Sequence, residues 1–458
     1  MRHHDLLIIG SGSGNSIVDG RFADLDVALV EAGTFGGTCL NVGCIPTKMF
    51  VHTADLAAGT RGSSRFGVDA FVDKVRWPDI RDRIFDRIDP IAAGGEAYRR
   101  ESSNVTVYGE RTRFTGPRQL QMASGQQVSA DRIVIAAGSR AVVPAIPGLE
   151  RFPFHTSDTV MRLDELPASM VILGGGVIAA EMAHIFSALG TAVTVVARSS
   201  RLLMAEDRDI SECLTSVVCD RWDVRLSTLA VEVETARHGR ARVHLADSAD
   251  LSDRGVVEAE VVLVATGRTP NSDTLDVAAA GIATHPDGRI VVDRCQQTVV
   301  EGVWALGDVS SEHQLKHVAN HEARVVQHNL LNPEAPMASD HRFVPHAVFT
   351  SPQIAAVGRS EDELIQEGTP YTSSMQGYDG IAYGWAMEDT TGFVKLLADP
   401  ASGLLLGAHI IGPQAPTVIQ PLIQAMSFGL SAKEMATGQY WIHPAMPEVV
   451  ENALLKLA

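Results

Sequence analysis

Two of the chain's five cysteines lie in one short run, residues 36–48. In an ideal helix Cys39 and Cys44 would be rotated by about 140° and lie about 8–9 Å apart, whereas a disulfide needs Cα atoms about 4.4–6.8 Å apart. Either the two thiols never meet, or the helix is locally tightened, which Gly43 permits. A tightened dithiol beside a helix N-terminus and Lys48 is suited to redox catalysis. Two unrelated core cysteines are the alternative.

An apolar strand and a glycine-rich turn open the chain. Residues 6–9 are continuously apolar, which is typical of a buried parallel strand. Gly10 and Gly12 then occupy fingerprint positions that allow a tight turn and close approach of a pyrophosphate. Glu31, at the end of the next apolar strand, is suited to a ribose hydroxyl. Asn15 replaces the third glycine, which loosens the expected helix–strand packing. The pattern predicts a nucleotide site.

The same strand–turn–helix–strand pattern occurs again in the middle of the chain. Gly174 and Gly176 follow an apolar strand, and Ala179 takes the third glycine position, which the fingerprint tolerates. The second strand ends not in an acid but in a segment that holds Arg198 and Arg201. Two guanidiniums suit a 2′-phosphate, although a solvated loop is the alternative. One chain therefore has two predicted nucleotide sites, the first typical of NAD or FAD and the second of NADP.

Further strands end in residues that suit ligand binding. Gly138 and Gly267 each close an apolar strand, and Asp308 follows a third, at the carboxyl end where parallel sheets bind ligands. Near the C-terminus, two prolines hold the segment between His443 and Glu448 rigid. This pair is suited to act as a base and its orienting carboxylate. A purely structural pair is the alternative.

Composition limits the class of protein. The chain has 458 residues, 45% of them hydrophobic and 20% charged, which fits an ordinary globular protein of two to four domains. A net charge of −17 argues against a nucleic-acid partner. Five cysteines do not form a disulfide framework and favour a reducing compartment. The N-terminus does not look like a signal peptide, and apolar runs are too short for a membrane helix. We therefore expect a cytoplasmic protein with no membrane partner.

Along the whole chain, these motifs resemble those of the class I flavoprotein disulfide reductases. The most specific are residues 37–44, residues 305–308 and the dyad of His443 and Glu448. The resemblance implies an α/β fold with two Rossmann-like domains, one for FAD and one for NAD(P), and a C-terminal α+β dimerisation domain. The expected boundaries are 1–148 with 268–335 for FAD, 149–267 for NADPH, and 340–458 for the interface.

The resemblance also implies which residues hold the two cofactors. FAD would lie on the first fingerprint, with Glu31 at the adenosine ribose and Asp308 at the ribityl chain. NADPH would lie on the second. The full set of implied cofactor-binding residues is Gly10, Gly12, Glu31, Gly37, Thr38, Lys48, Gly138, Asp308, Gly174, Gly176, Arg198, Arg201 and Gly267.

For catalysis, the resemblance implies that Lys48 pairs with Glu181 beside flavin N5. Cys44 would be the thiolate next to the flavin, and Cys39 would attack a small-molecule disulfide. His443, oriented by Glu448, would protonate the leaving thiolate. Members of the family are homodimers in which this histidine serves the partner's site, so an isolated monomer should be inactive.

Finer features separate the branches of the family. The last cysteine is Cys295, whereas mercuric reductases and large thioredoxin reductases need C-terminal cysteines. Arg198 argues for NADPH and against dihydrolipoamide dehydrogenase, which usually has a glutamate there. Residues 315–323, 383–389 and 439–444 are most similar to the branch that reduces mycothione to mycothiol. Dihydrolipoamide dehydrogenase and glutathione reductase-like activity remain the alternatives.

Two further points concern catalysis. A non-catalytic redox protein on this fold would lack Cys39, Cys44, His443 or Glu448, and all four are present. Several members of the family have a tyrosine over the flavin where Val177 stands, so the nicotinamide gate differs here.

Overall fold

The computed structural model describes residues 1–457. Its N-terminal elements are β1 (Arg2–Ile9), β2 (Val27–Val30), α1 (Gly37–Asn41), α2 (Cys44–Arg61), α3 (Trp77–Glu101), β3 (Val105–Tyr108), β4 (Thr112–Gly116), β5 (Gln119–Met122), β6 (Gln127–Ile135) and β7 (Ser139–Ala141). Strands β1 to β6 form a sheet in the order β3-β2-β1-β6-β5-β4. β1 runs parallel to both neighbours, with Leu6 opposite Val27 and Arg132. Leu6, Leu7 and Ile8 are fully buried, because a central parallel strand is covered on both faces.

Two short 3₁₀ turns, Gly14–Ser16 and Gly20–Phe22, follow the first glycine-rich turn. The prediction of an α-helix directly after the first glycine-rich turn is therefore wrong. Arg99 on α3 reaches into this region, and its Nε donates to Asn15 Oδ1 at 2.6 Å. Its Nη2 donates to the backbone oxygen atoms of Asn15 at 2.7 Å and Val18 at 2.8 Å. Asn15 thus binds an arginine and the carbonyls of the turns are satisfied, so a regular helix is not needed to pair them.

The middle of the chain repeats the pattern with a full helix. Its elements are β8 (Ser169–Leu173), α4 (Val177–Leu189), β9 (Ala192–Val196), α5 (Arg208–Cys219), β10 (Asp223–Arg225), β11 (Thr228–Thr235), β12 (Ala241–Asp247), β13 (Asp253–Ala259), β14 (Val261–Val264) and β15 (Arg268–Pro270). A parallel sheet has the order β10-β9-β8-β14, and β11-β12-β13 form a separate antiparallel sheet.

Each of the two repeats has the same close backbone contact at the first glycine of its turn. A Cβ at Gly10 would lie 2.2 Å from the carbonyl oxygen of Ala136, and a Cβ at Gly174 would lie 2.2 Å from that of Ala265. Both glycines have positive φ, 106° and 133°. Only glycine fits such a turn, which explains why the same residue type opens both copies.

The chain then returns to the N-terminal part of the fold. β15 pairs antiparallel with β7, and β16 (Val303–Ala305) runs parallel to β6, with Val303 opposite Ile133. Helix α6 (Lys316–Leu331) follows. Asp308 therefore lies just beyond the carboxyl end of a strand of the N-terminal sheet, as the sequence predicts.

The C-terminal part is α+β, as predicted. Its elements are β17 (His346–Val348), β18 (Ile354–Gly358), α7 (Glu361–Glu367), β19 (Thr372–Gly377), α8 (Ala382–Met387), β20 (Phe393–Ala398), β21 (Leu405–Ile411), α9 (Ala415–Val418), α10 (Gln420–Phe428), α11 (Ala432–Thr437) and α12 (Glu448–Leu455). The sheet order is β17-β18-β21-β20-β19, all antiparallel. Four helices follow the last strand. Within residues 1–457, no helix combines the length and apolarity needed to cross a bilayer.

Candidate active site

The two cysteines of the dithiol lie on different helices. Cys39 is in α1 and Cys44 is the first residue of α2. A Cβ at Gly43, between the helices, would lie 2.9 Å from the carbonyl oxygen of Thr38 and 3.3 Å from Cys39 Cα. The helix is thus broken rather than tightened, and the missing side chain of Gly43 lets α2 start against α1. The prediction of a locally tightened helix is therefore wrong, but the two thiols do lie near each other, as a redox-active pair requires.

The two thiols have opposite protonation preferences. Both cysteines are free. The hydrogen bond from the Cys39 thiol lowers the pKa of Cys44 to about 6 against the opposing effect of burial, and the charge of Lys48 acts in the same direction. The same hydrogen bond, together with burial, raises the pKa of Cys39. At neutral pH the reduced pair therefore consists of a Cys44 thiolate and a Cys39 thiol.

The structure brings Lys48 and Glu181 together beside this thiolate. Lys48 Nζ lies 2.8 Å from both carboxylate oxygens of Glu181, which is almost fully buried. The backbone N–H of Phe349 donates to Glu181 Oε1 at 2.9 Å, and Lys48 Nζ lies 4.6 Å from the centre of the Phe349 ring. The lysine is therefore held between a carboxylate and an aromatic face. Phe349 was not among the predicted site residues.

An open cavity of about 680 Å³ adjoins these groups. It is lined by Cys44, Ile45, Lys48, Met49, His52, Arg83 and Phe349. Cys44 is thus reached from this cavity, next to the Lys48 ammonium.

The two predicted FAD carboxylates lie at separate points of the same sheet edge. Glu31 Oε2 accepts from the backbone N–H of Ser11 at 2.9 Å and from its hydroxyl at 2.6 Å. Asp308 Oδ2 accepts from the Ser139 hydroxyl at 2.6 Å, and Arg268 Nε donates to that hydroxyl at 2.8 Å. Both carboxylates are oriented by neighbouring donors, and sequence reasoning did not identify these donors.

The surface between the two carboxylates fits an extended dinucleotide. A Cβ at Gly37 would lie 2.8 Å from Gly12 Cα, so the turn and α1 meet backbone to backbone. Gly138 has a φ of 66° and open space where a side chain would be, and Thr38 is exposed. Lys316, at the start of α6, donates to the Ser13 hydroxyl at 2.8 Å. A backbone-lined strip with a carboxylate near each end suits FAD.

The second glycine-rich turn fits NADPH. Gly176 caps α4 with no side-chain hydrogen bond and has open space beside it, so the helix N-terminus is free for a pyrophosphate. Gly267, with φ of 120°, also faces open space. Arg198 is exposed and Arg201 is partly exposed, so their guanidinium groups are available to a 2′-phosphate.

The histidine dyad lies at the surface of the C-terminal part. His443 Nδ1 and Glu448 Oε1 are hydrogen-bonded. The His443 side chain is 71% exposed, whereas that of Glu448 is 15% exposed. Tyr440 and Ile442 beside it are also exposed, at 102% and 76%. Among residues 1–457, no hydrogen bond joins His443 to either redox cysteine of its own chain.

This fold and dithiol define a class of redox enzyme. Residues 4–323 match the family described as pyridine nucleotide-disulphide oxidoreductase, and residues 344–454 match the dimerisation domain of the same family. The chain belongs to the pyridine nucleotide-disulphide oxidoreductases. It is accordingly a flavoprotein disulfide reductase of class I that uses FAD and NADPH, and its dimerisation domain makes it a subunit of a homodimer.

Individual relatives and a solved structure show which members of the family this chain is similar to. The chain is 54% identical to mycothione reductase of Mycobacterium tuberculosis over 467 aligned residues, which cover 100% of both chains. It is 31% identical to mercuric reductase of Staphylococcus aureus, covering 99% of this chain and 82% of that protein. A solved structure, the Cu(II) complex of the HOCl-induced flavoprotein disulfide reductase RclA from Escherichia coli, superposes with a TM-score of 0.87. It is 28% identical and both chains are covered completely. The predicted family, fold class and cofactors are confirmed.

Proposed function

We propose that this enzyme uses NADPH to reduce mycothione, the disulfide of mycothiol, in the reducing cytoplasm. The observation that carries the chemistry is the neighbouring pair of free cysteines, Cys39 and Cys44, with Cys44 and Lys48 lining the same cavity. The substrate assignment is supported by the 54% identity, over the full length, to a mycothione reductase. Arg198 and Arg201, which follow β9 and are exposed or partly exposed, would bind the 2′-phosphate of NADPH.

We propose three domains, whose bounds follow the sheets of the fold. Residues 1–148 and 268–335 would bind FAD, because β16 rejoins the first sheet. Residues 149–267 would bind NADPH, and residues 340–458 would form the subunit interface. When bound, the flavin supplies two-electron transfer from NADPH to the Cys39–Cys44 disulfide. Glu31 and Asp308 would hold its ribose and ribityl hydroxyls, and Lys48, fixed by Glu181, would keep a positive charge next to Cys44.

The reduced dithiol then exchanges with the substrate. Because Cys39 retains its proton, a base must remove it before the sulfur attacks. The Cys39 thiolate attacks the substrate disulfide, forms a mixed disulfide and expels one thiolate, which takes that proton. The Cys44 thiolate attacks Cys39, reforms the protein disulfide and expels the second thiolate, which takes a proton from solvent. Two electrons leave the dithiol, and two thiols are released.

We assign the base to His443 of the partner subunit. His443 Nδ1–H donates to Glu448 Oε1, which fixes the ring and leaves Nε2 to accept the Cys39 proton and return it to the leaving group. The exposure of this ring and of Tyr440 and Ile442 beside it suits a surface that another subunit covers.

Two sets of variants test these roles. Cys39→Ser should consume about one NADPH per subunit in a single turnover and reduce no disulfide; steady-state disulfide reduction by this variant would refute the role of Cys39. A heterodimer of one Cys39→Ser subunit and one His443→Ala subunit, isolated with two different tags, should retain one intact site. We expect about half the wild-type turnover per dimer. Loss of all activity in the heterodimer would place His443 in its own subunit's site.

A further inference from the structure

The first part of the segment that carries Arg198 and Arg201 packs against the second glycine-rich turn. We name residues 197–207, between β9 and α5, the arginine loop. The backbone N–H of Leu203 donates to the carbonyl oxygen of Gly175 at 2.8 Å. A Cβ at Gly175 would lie 3.0 Å from the Ala197 side chain and 3.3 Å from that of Leu202. The arginine loop therefore lies directly against the second fingerprint.

The end of the arginine loop is held by the C-terminal part instead. Glu206 Oε1 and Oε2 lie 2.8 and 3.0 Å from His346 Nε2. Asp207 Oδ1 accepts from Lys395 Nζ at 2.8 Å, and Asp207 Oδ2 accepts from the backbone N–H of Glu361 at 3.1 Å. Both acidic side chains are almost fully buried. The loop is thus clamped between the fingerprint and a different part of the molecule.

Lys395 is an unusual residue for its position. It lies in the middle of β20, whose neighbouring residues Val394 and Leu396 are fully buried, and its own side chain is 3% exposed. Its ammonium contacts three carboxylates, at 2.8 Å to Asp207, 2.7 Å to Asp209 and 2.8 Å to Glu361. A buried charge is tolerated only with well-placed partners. The cluster therefore fixes the geometry of the loop end tightly.

We propose that Glu206 with His346, and Asp207 with Lys395, are positioning residues for NADPH binding. They hold the arginine loop so that its two guanidiniums converge on the 2′-phosphate. This inference rests on the proposed phosphate role of Arg198 and Arg201. It adds that the C-terminal part of the chain determines affinity for the phosphorylated cofactor, although none of its residues belongs to the proposed NADPH site.

The probe is 2′,5′-ADP, which carries the 2′-phosphate but no nicotinamide, titrated by calorimetry into the FAD-loaded dimer. Glu206→Gln and Lys395→Met remove one partner from each pair. Asp362→Asn is the matched control, because it removes the exposed Arg208–Asp362 ion pair between the same two parts of the chain and such pairs contribute little. Arg198→Ala combined with Arg201→Ala tests the phosphate site itself.

We expect Glu206→Gln and Lys395→Met to weaken 2′,5′-ADP binding about tenfold or more, as for the loss of one charge-assisted hydrogen bond. The KM for NADPH should rise in parallel, while kcat at saturating NADPH and the affinity of the control stay within about twofold of wild type.

Wild-type affinity in Glu206→Gln overturns the inference, even if Lys395→Met fails to fold. An equal loss in Asp362→Asn also overturns it, because the effect would then be general loosening. Wild-type affinity in the double arginine variant refutes the phosphate site, and the positioning role falls with it.

Discussion

The low pKa of Cys44 depends mainly on one hydrogen-bond donor. With a pKa of about 6, roughly 90% of Cys44 is thiolate at pH 7, against roughly 3% for an ordinary cysteine with a pKa of about 8.5. The largest cause is the hydrogen bond from Cys39, and Lys48 contributes less. Cys39→Ala removes the donor and leaves Lys48 in place. We therefore expect the pKa of Cys44 to rise by about 1–2.5 units, toward that of an unperturbed thiol.

The assay is the pH dependence of Cys44 alkylation in the reduced enzyme, followed by mass spectrometry of the peptide from α2. The pH of half-maximal rate reports the pKa directly, whereas the rate at one pH also depends on intrinsic nucleophilicity. Cys39→Ser is the matched control, because its hydroxyl still donates, and its midpoint should remain below that of Cys39→Ala. An unchanged midpoint in Cys39→Ala would refute the hydrogen bond as the main cause.

Two other predictions concern stability. Gly43→Ala should lower the free energy of unfolding by about 1–3 kcal/mol, because its Cβ would lie 2.9 Å from a backbone oxygen of α1. Gly59→Ala, in the open part of α2, should be neutral or stabilising in the same thermal unfolding experiment, and equal effects would contradict the packing argument. Burial opposes protonation of His346, but its bond to Glu206 raises the pKa overall, so the pair stabilises the fold below pH about 6.5. This stabilisation should disappear as the pH rises through the raised pKa, and a Tm difference between wild type and Glu206→Gln that does not shrink from pH 6 to pH 9 would contradict it.

Local pattern was sufficient to predict the elements that form the site. The two strand–turn repeats are readable because Gly10 and Gly174 meet the same backbone constraint, and a parallel strand such as β1 is buried on both faces. The position of Asp308 followed from the rule that ligands bind at the carboxyl ends of parallel strands. These features depend on residues near one another in the sequence.

Features that depend on distant contacts were not predictable. The 3₁₀ turns after the first fingerprint are paired by Arg99, which lies far along the chain, so local spacing favoured a helix. Phe349 reaches Lys48 only through the packing of β17 against α4. Lys395 did carry a signal, since a lysine within an apolar strand needs a buried partner, but its carboxylates lie in two other segments. Tertiary contact, rather than propensity, decided each of these cases.

The most direct test of the proposed function is NADPH oxidation by the purified dimer with mycothione, glutathione disulfide and lipoamide offered in parallel, then repeated with NADH. The proposal predicts rapid turnover with mycothione and NADPH, and little with the other pairs. Rapid turnover with lipoamide and NADH would leave the dithiol chemistry intact but contradict both the substrate and the role given to Arg198 and Arg201.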